Sequence, residues 1–200
     1  AGRSAEALVA AETAVRLAPG DADNRAALAK AQLETGRLHE GAASMDRALL
    51  LYPIMPTYIS YWDSNIRWSI GDLDTALART DYCLQRAPRY LQCRITRAVT
   101  LLELGRIEES HQEAQRLRSI YPNLPQIAFL SSLGGVDELR ERRLRSAEAL
   151  GFASAAEEAP IKGDSVPDSL AVPLYFDRVV PRPDNPGLQF PTIASRRSDG

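Results

Sequence analysis

The chain is 200 residues long and nearly neutral, with 24 Lys and Arg against 26 Asp and Glu for a net charge of −2. That balance offers no electrostatic footprint for nucleic acid or an acidic membrane surface, and no apolar run is long enough to cross a bilayer. Its two cysteines, Cys83 and Cys93, are too few for a disulfide framework and fall in helical patterns, so they read as small buried apolar residues of a reducing, cytoplasmic chain.

From the N-terminus, the helical pattern already runs by Ser4, so the chain is expected to begin partway through a structural unit. Two sets of landmarks then recur in step. Prolines close apolar helical stretches at Pro19, Pro53, Pro88 and Pro122, separated by 34, 35 and 34 residues. Glycines at Gly2, Gly36, Gly71 and Gly105 keep the same separations, each 17 residues before its proline. A glycine can end one helix in the left-handed conformation, and a proline cannot continue the next. Between them lie apolar residues at helical spacing, such as Leu73, Ala76, Leu77 and Leu84. The unit is helix, tight turn, helix, tight turn.

This period and these landmarks resemble the tetratricopeptide repeat (TPR) family. The small eighth position of that motif holds Ala29, Ser64 and Ala98. The small site at the helix crossing, five after the glycine, holds Ala7, Gly41, Ala76 and Ser110. A second small site, twelve after the glycine, holds Ala14, Ala48 and Cys83, with Leu117 departing from it. The large apolar seventh position survives only as Leu28, and Asp63 and Arg97 replace it. The middle repeat carries one extra residue around 54–56. The resemblance implies an all-α helix-turn-helix solenoid over 1–122, with a half repeat at 1–19 and whole repeats at 22–53, 57–88 and 91–122.

Past Asn123 the ruler stops. LPQIAFLSSL reads as a short helix broken by Gly134-Gly135, and VDELRERRLRSAEALGF as a helix with Val136, Leu139, Leu144 and Leu150 in an apolar stripe. Residues 123–152 are therefore expected to be capping helices, and the mixed charges of ELRERRLR a solvated face. Residues 153–200 hold seven of the thirteen prolines and read as an extended or disordered tail. Within it the apolar stretch Ser169–Val180 reads equally as a docking strand or as loose chain.

No phosphate loop, HExxH, CxxC or nucleophile elbow is present, and His39 and His111 lie two repeats apart. No catalytic residue, metal site or cofactor is expected. Binding has more to offer. The resemblance implies that the first helix of each repeat lines a concave groove. There Tyr58, Tyr61, Trp62, Asn65 and Trp68 share a face, opposite Ile59, Ile66 and Ile70. Neighbouring helices add Lys30 and Glu34 on one side and Gln92 and Glu103 on the other. This stripe reads either as a site for a partner peptide or as rings packed between helices or against the closing segment. The positions that grip a terminal carboxylate in chaperone-binding relatives hold Ala26, Lys30, Trp62, Gln92 and Thr96, which argues against that role.

The expected function is a protein-interaction scaffold with a protein or peptide partner, no nucleic acid, no membrane, and self-association left open. A looser similarity to arrays attached to bacterial class III nucleotide cyclases or winged-helix regulators rests on Tyr121–Asn123, Glu141-Arg142 and Glu148–Phe152, without the usual Lys-Asp-Pro lead-in. It implies a regulatory or oligomerising arm of a larger signalling protein. The alternative is a free-standing adaptor.

Overall fold

In the computed structural model, residues 2–124, 128–129 and 136–152 are described, all within one compact unit, Ala1–Ala159. Residues 153–200, read from sequence as the tail and including the stretch Ser169–Val180, lie outside the described residues. Among the described residues eight α-helices follow one another: α1 (Gly2–Leu17), α2 (Ala22–Glu34), α3 (Leu38–Leu49), α4 (Thr57–Ser69), α5 (Leu73–Arg86), α6 (Leu91–Glu103), α7 (Ile107–Ile120) and α8 (Asp137–Ala149). Helices α2 and α3, α4 and α5, and α6 and α7 form antiparallel hairpins, and α1 packs on α2. The all-α repeat architecture expected from the two rulers is the one found.

The turn glycines behave as their chemistry requires. Gly36, Gly71 and Gly105 have φ of 80°, 82° and 73°, a region that costs any residue with a Cβ. The small crossing positions are equally literal. A Cβ on Gly41 would stand 3.0 Å from the Ala29 carbonyl oxygen, and Ser110 donates to the Ala98 carbonyl at 2.7 Å. Ala76 holds the same place in the middle hairpin with no exposure. Ala7, the equivalent residue of α1, is exposed.

Where the repeat pattern departs from an apolar residue, the fold supplies counter-charges. Asp63 is fully buried between Arg67 (Nε to Oδ1, 3.0 Å) and Arg79 (Nε to Oδ2, 2.6 Å). Arg97 bonds Asp81 at 2.7 Å and Glu113 at 3.3 Å, and Arg94 closes on the same buried Glu113. A buried carboxylate is tolerable when its oxygens are bonded by guanidinium N–H groups, and both acids meet that condition. Leu117, the other departure, packs into the core with no exposure.

Helices α2, α4 and α6 pack on one another as well as on their hairpin partners, which makes them the inner layer of the array. Helix α8 lies against α6, and the residues that cap its two ends reach further. The Val136 side chain comes within 3.9 Å of a Cβ built on Gly36, and the Leu150 carbonyl accepts from Arg118 of α7. Gly151 (φ 73°) ends the helix, and Phe152 packs at a tilt against Phe129 with ring centroids 4.7 Å apart. The segment therefore crosses the inner side of the array from its first hairpin to its last.

Candidate functional site

Helix α4 carries the aromatic stripe. Ile59 and Ile66 on its opposite side are fully buried and Ile70 is half-buried, as a core face demands. The stripe itself divides into three environments.

At the C-terminal end, Trp68 has no exposure and Asn65 is 1% exposed. What covers them is α8. Its buried residues Leu139, Arg143, Ser146 and Ala147, continued by Leu150 at its C-terminal cap, recur at helical spacing, so one face is apolar with an arginine at its centre. Arg143 donates through Nη2 to Asn65 Oδ1 (3.1 Å) and through Nη1 to Thr96 Oγ1 (3.3 Å), and its guanidinium lies 4.0 Å from the Trp68 ring centroid. Arg142 lies 4.2 Å from the same centroid, donates to the Trp68 carbonyl at 3.1 Å, and pairs through two nitrogens with Glu103. The run expected to face solvent thus sends Arg143 into the interior. A charged residue is buried there because the α4–α6 layer offers it two acceptors and an indole face.

Among the described residues no carboxylate pairs with Arg143, and the Arg143 Nε and Trp68 Nε1 donors find no acceptor. Burial pushes the Arg143 guanidinium down to about 10, with Arg142 adding to the effect.

In the middle of the stripe, Tyr61 is buried against Tyr90 (ring centroids 5.7 Å apart), Cys83 and Cys93. The two cysteines form a disulfide across the turn between α5 and α6, with Cα atoms 6.5 Å apart. They are fully buried, as expected, but they are not separate thiols. A signal was present: the two stand in the last turn of one helix and the first turn of the next, either side of Pro88, so the turn brings them face to face. Gln92, beside Cys93, is also buried.

At the N-terminal end, Tyr58 and Trp62 stay half-buried, edge to face at 5.2 Å, with Lys30 Nζ 5.9 Å from the Trp62 centroid and paired with Glu34. Tyr58 and Tyr52 both donate to Asp23 Oδ1, at 2.6 and 2.5 Å, a cluster that sequence spacing does not announce. Their hydroxyls hold their protons well above the usual range, through burial first and the Asp23 bond second. Of the seven groove residues, the structure gathers Tyr58, Trp62 and Lys30 at one end and Asn65 and Trp68 under α8. Tyr61 lines the disulfide side, and Gln92 is buried on α6.

His39 and His111 are both exposed, on different hairpins. Among the described residues no group of three potential ligands could hold a metal ion, and no helix is long and apolar enough to cross a membrane.

No protein-family model matches this sequence, and no curated protein matches it. Solved structures share the fold. A crystal structure of MamA aligns with a TM-score of 0.56 at 14% identity, covering 74% of this chain and 87% of that one. A second MamA structure, from MSR-1, aligns with 0.56 at 19% identity over 74% and 87%. The structure of YrrB, described as a TPR protein with an unusual peptide-binding site, aligns with 0.54 at 15% identity over 74% and 77%. At such identities the likeness speaks for the helical-repeat fold alone. The looser similarity to cyclase-linked arrays gains nothing from these structures.

Proposed function

We propose that this chain is a non-catalytic protein-interaction scaffold whose inner α2–α4–α6 layer holds a helical or peptide ligand. One observation carries the reading: groups from two different repeats, the Asn65 side chain and the Trp68 carbonyl and indole of α4 with the Thr96 and Glu103 side chains of α6, converge on a single helix and hold two of its side chains. A layer that can seat a helix in this way has the chemistry of a binding groove, with aromatic area and a few placed polar groups. The half-buried end at Tyr58, Trp62 and Lys30 extends that groove beyond α8 and is the natural continuation for a partner. YrrB, with its peptide-binding site, is a precedent on the same fold.

The test is selection of peptides from a displayed library against the full chain, followed by binding to Trp62→Ala. Selected peptides should lose at least tenfold in affinity on that variant while its helicity holds. Equal binding would remove these rings from the site.

Placement in a larger signalling protein and existence as a free-standing adaptor remain two versions of this scaffold, separated by the intact mass of the native protein. Self-association is a further version, read by light scattering. The compartment turns on the disulfide. A cytoplasmic location keeps thiols reduced, and the Cys83–Cys93 bond favours an oxidising one, so the redox state of the native protein decides between them.

A further inference from the structure

Helix α8 and the inner layer meet through a contact built for one chemistry. The Arg142 guanidinium is held at Glu103 by two nitrogens, at the Trp68 carbonyl by a third, and against the indole. The neighbouring Arg143 reaches two neutral acceptors, Asn65 Oδ1 and Thr96 Oγ1, which also bond each other at 3.3 Å. The receptor side therefore offers a carboxylate, two carbonyl-type oxygens, a hydroxyl and an indole face, and every bond it makes to Arg142 and Arg143 is accepted from a guanidinium. A planar fork fits it better than an ammonium would, since three nitrogens of one guanidinium are used at once.

We propose that the groove is specific for an amphipathic helix bearing two consecutive arginines, and that α8 occupies it as a resident ligand which an arginine-paired helix of a partner protein displaces. The proposal rests on the groove reading above and adds the identity of what the groove recognises. The motif follows from the buried face of α8: a leucine four residues before the second arginine, small residues three and four after it, and a leucine seven after it, as in Leu139, Arg142-Arg143, Ser146, Ala147 and Leu150.

Displacement is favoured by the defect in the resident contact. Arg143 is a buried cation without a carboxylate partner, and its Nε–H is unbonded. Glu103 acts on Arg143 only from beyond ion-pair distance. A buried charge without a direct ion pair is costly, so α8 is held less tightly than its packing alone would give. An incoming helix that brings a carboxylate within reach of the second arginine removes that cost.

The experiment uses the full chain and a fluorescein-labelled peptide of the sequence 136–152. It is titrated into wild type and into Arg142→Ala/Arg143→Ala, in which the resident helix is loosened and the receptor side is intact. Leu139→Ala serves as a second opener should the double variant lose helicity. The probe should bind the opened chain at least tenfold more tightly than wild type. The same peptide with both arginines changed to alanine should lose at least tenfold, as should the probe against an opened chain carrying Glu103→Ala. Equal binding of the alanine peptide would overturn the arginine reading and leave the groove standing. Failure of every peptide to bind an opened, helical chain would overturn the groove itself. Equal binding to wild type and opened chains would remove α8 as the resident ligand.

Discussion

Trp62 and Trp68 stand on one helix and on one stripe, yet Trp68 is fully buried while Trp62 keeps part of its ring in solvent. Neither the helix nor its hairpin partner makes that difference. Helix α8 covers the C-terminal end of α4, whereas at the other end Lys30 stands over the Trp62 ring and Tyr58 bonds Asp23, and both rings stay half-buried. The lesson is that a groove residue and a core residue can carry the same signature in a repeat protein. What separates them is whether a distant segment has been laid across them.

Truncating each ring in turn should affect the two ends of α4 unequally. Trp68→Ala removes a fully buried side chain that two guanidinium groups stack upon, and should cost roughly 3–5 kcal/mol. Trp62→Ala should cost about 1 kcal/mol. Urea unfolding followed by circular dichroism measures both, and equal losses would erase the distinction between the two ends.

The middle of the stripe is sharpened by its disulfide. Opening the bond between Cys83 and Cys93, ten residues apart in sequence, with Cys83→Ala/Cys93→Ala should lower stability by about 2–4 kcal/mol. A mild reductant should act on wild type in the same direction and leave the variant unmoved. A wild-type melting temperature indifferent to reductant would show that α5 and α6 do not depend on the link.

A third change tests the repeat frame beneath both ends. Ala76 fills the tight crossing of α4 and α5, so Ala76→Leu should cost about 1–3 kcal/mol by overpacking. An unchanged unfolding midpoint would mean that the register of the middle hairpin is wrong.

The smallest effect is a pH slope. Tyr90 is pushed up to about 12, by burial first and then by Tyr61, whereas an unfolded chain loses that proton near ~10. The native state then holds the proton that the unfolded state releases, so this contribution is full below about pH 10 and is lost as pH rises through 12. Urea midpoints at several alkaline pH values should fall, and Tyr90→Phe should flatten the slope.

The repeat frame was legible because its requirements are local. A left-handed turn at Gly36, Gly71 and Gly105 and a small residue at Gly41, Ala76 and Ser110 follow from what the backbone can do within a few residues. The candidate site was legible only in part. Trp68 and Asn65 are on the inner layer, as the spacing of α4 implies, but what covers them joins residues 47 and 78 apart along the chain. Charge patterning could not disclose it, since Arg142, Arg143 and Arg145 look alike in sequence and only the first two meet the groove. The clue lay in hydrophobic spacing: Arg143 falls in the centre of the face made by Leu139, Ala147 and Leu150. Asp63 and Glu113 escaped for the same reason, because their arginine partners on neighbouring helices come from the fold.

The most direct test of α8 in the groove is a double-mutant cycle between Arg142→Ala and Glu103→Ala, scored by urea unfolding of the full chain. The two side chains are 28% and 18% exposed, sheltered enough for their pairing to register. The coupling should be about 0.5–3 kcal/mol, with the double variant less destabilised than the sum of the singles. Strict additivity would contradict the placement of α8 against α6 and with it the occupied groove.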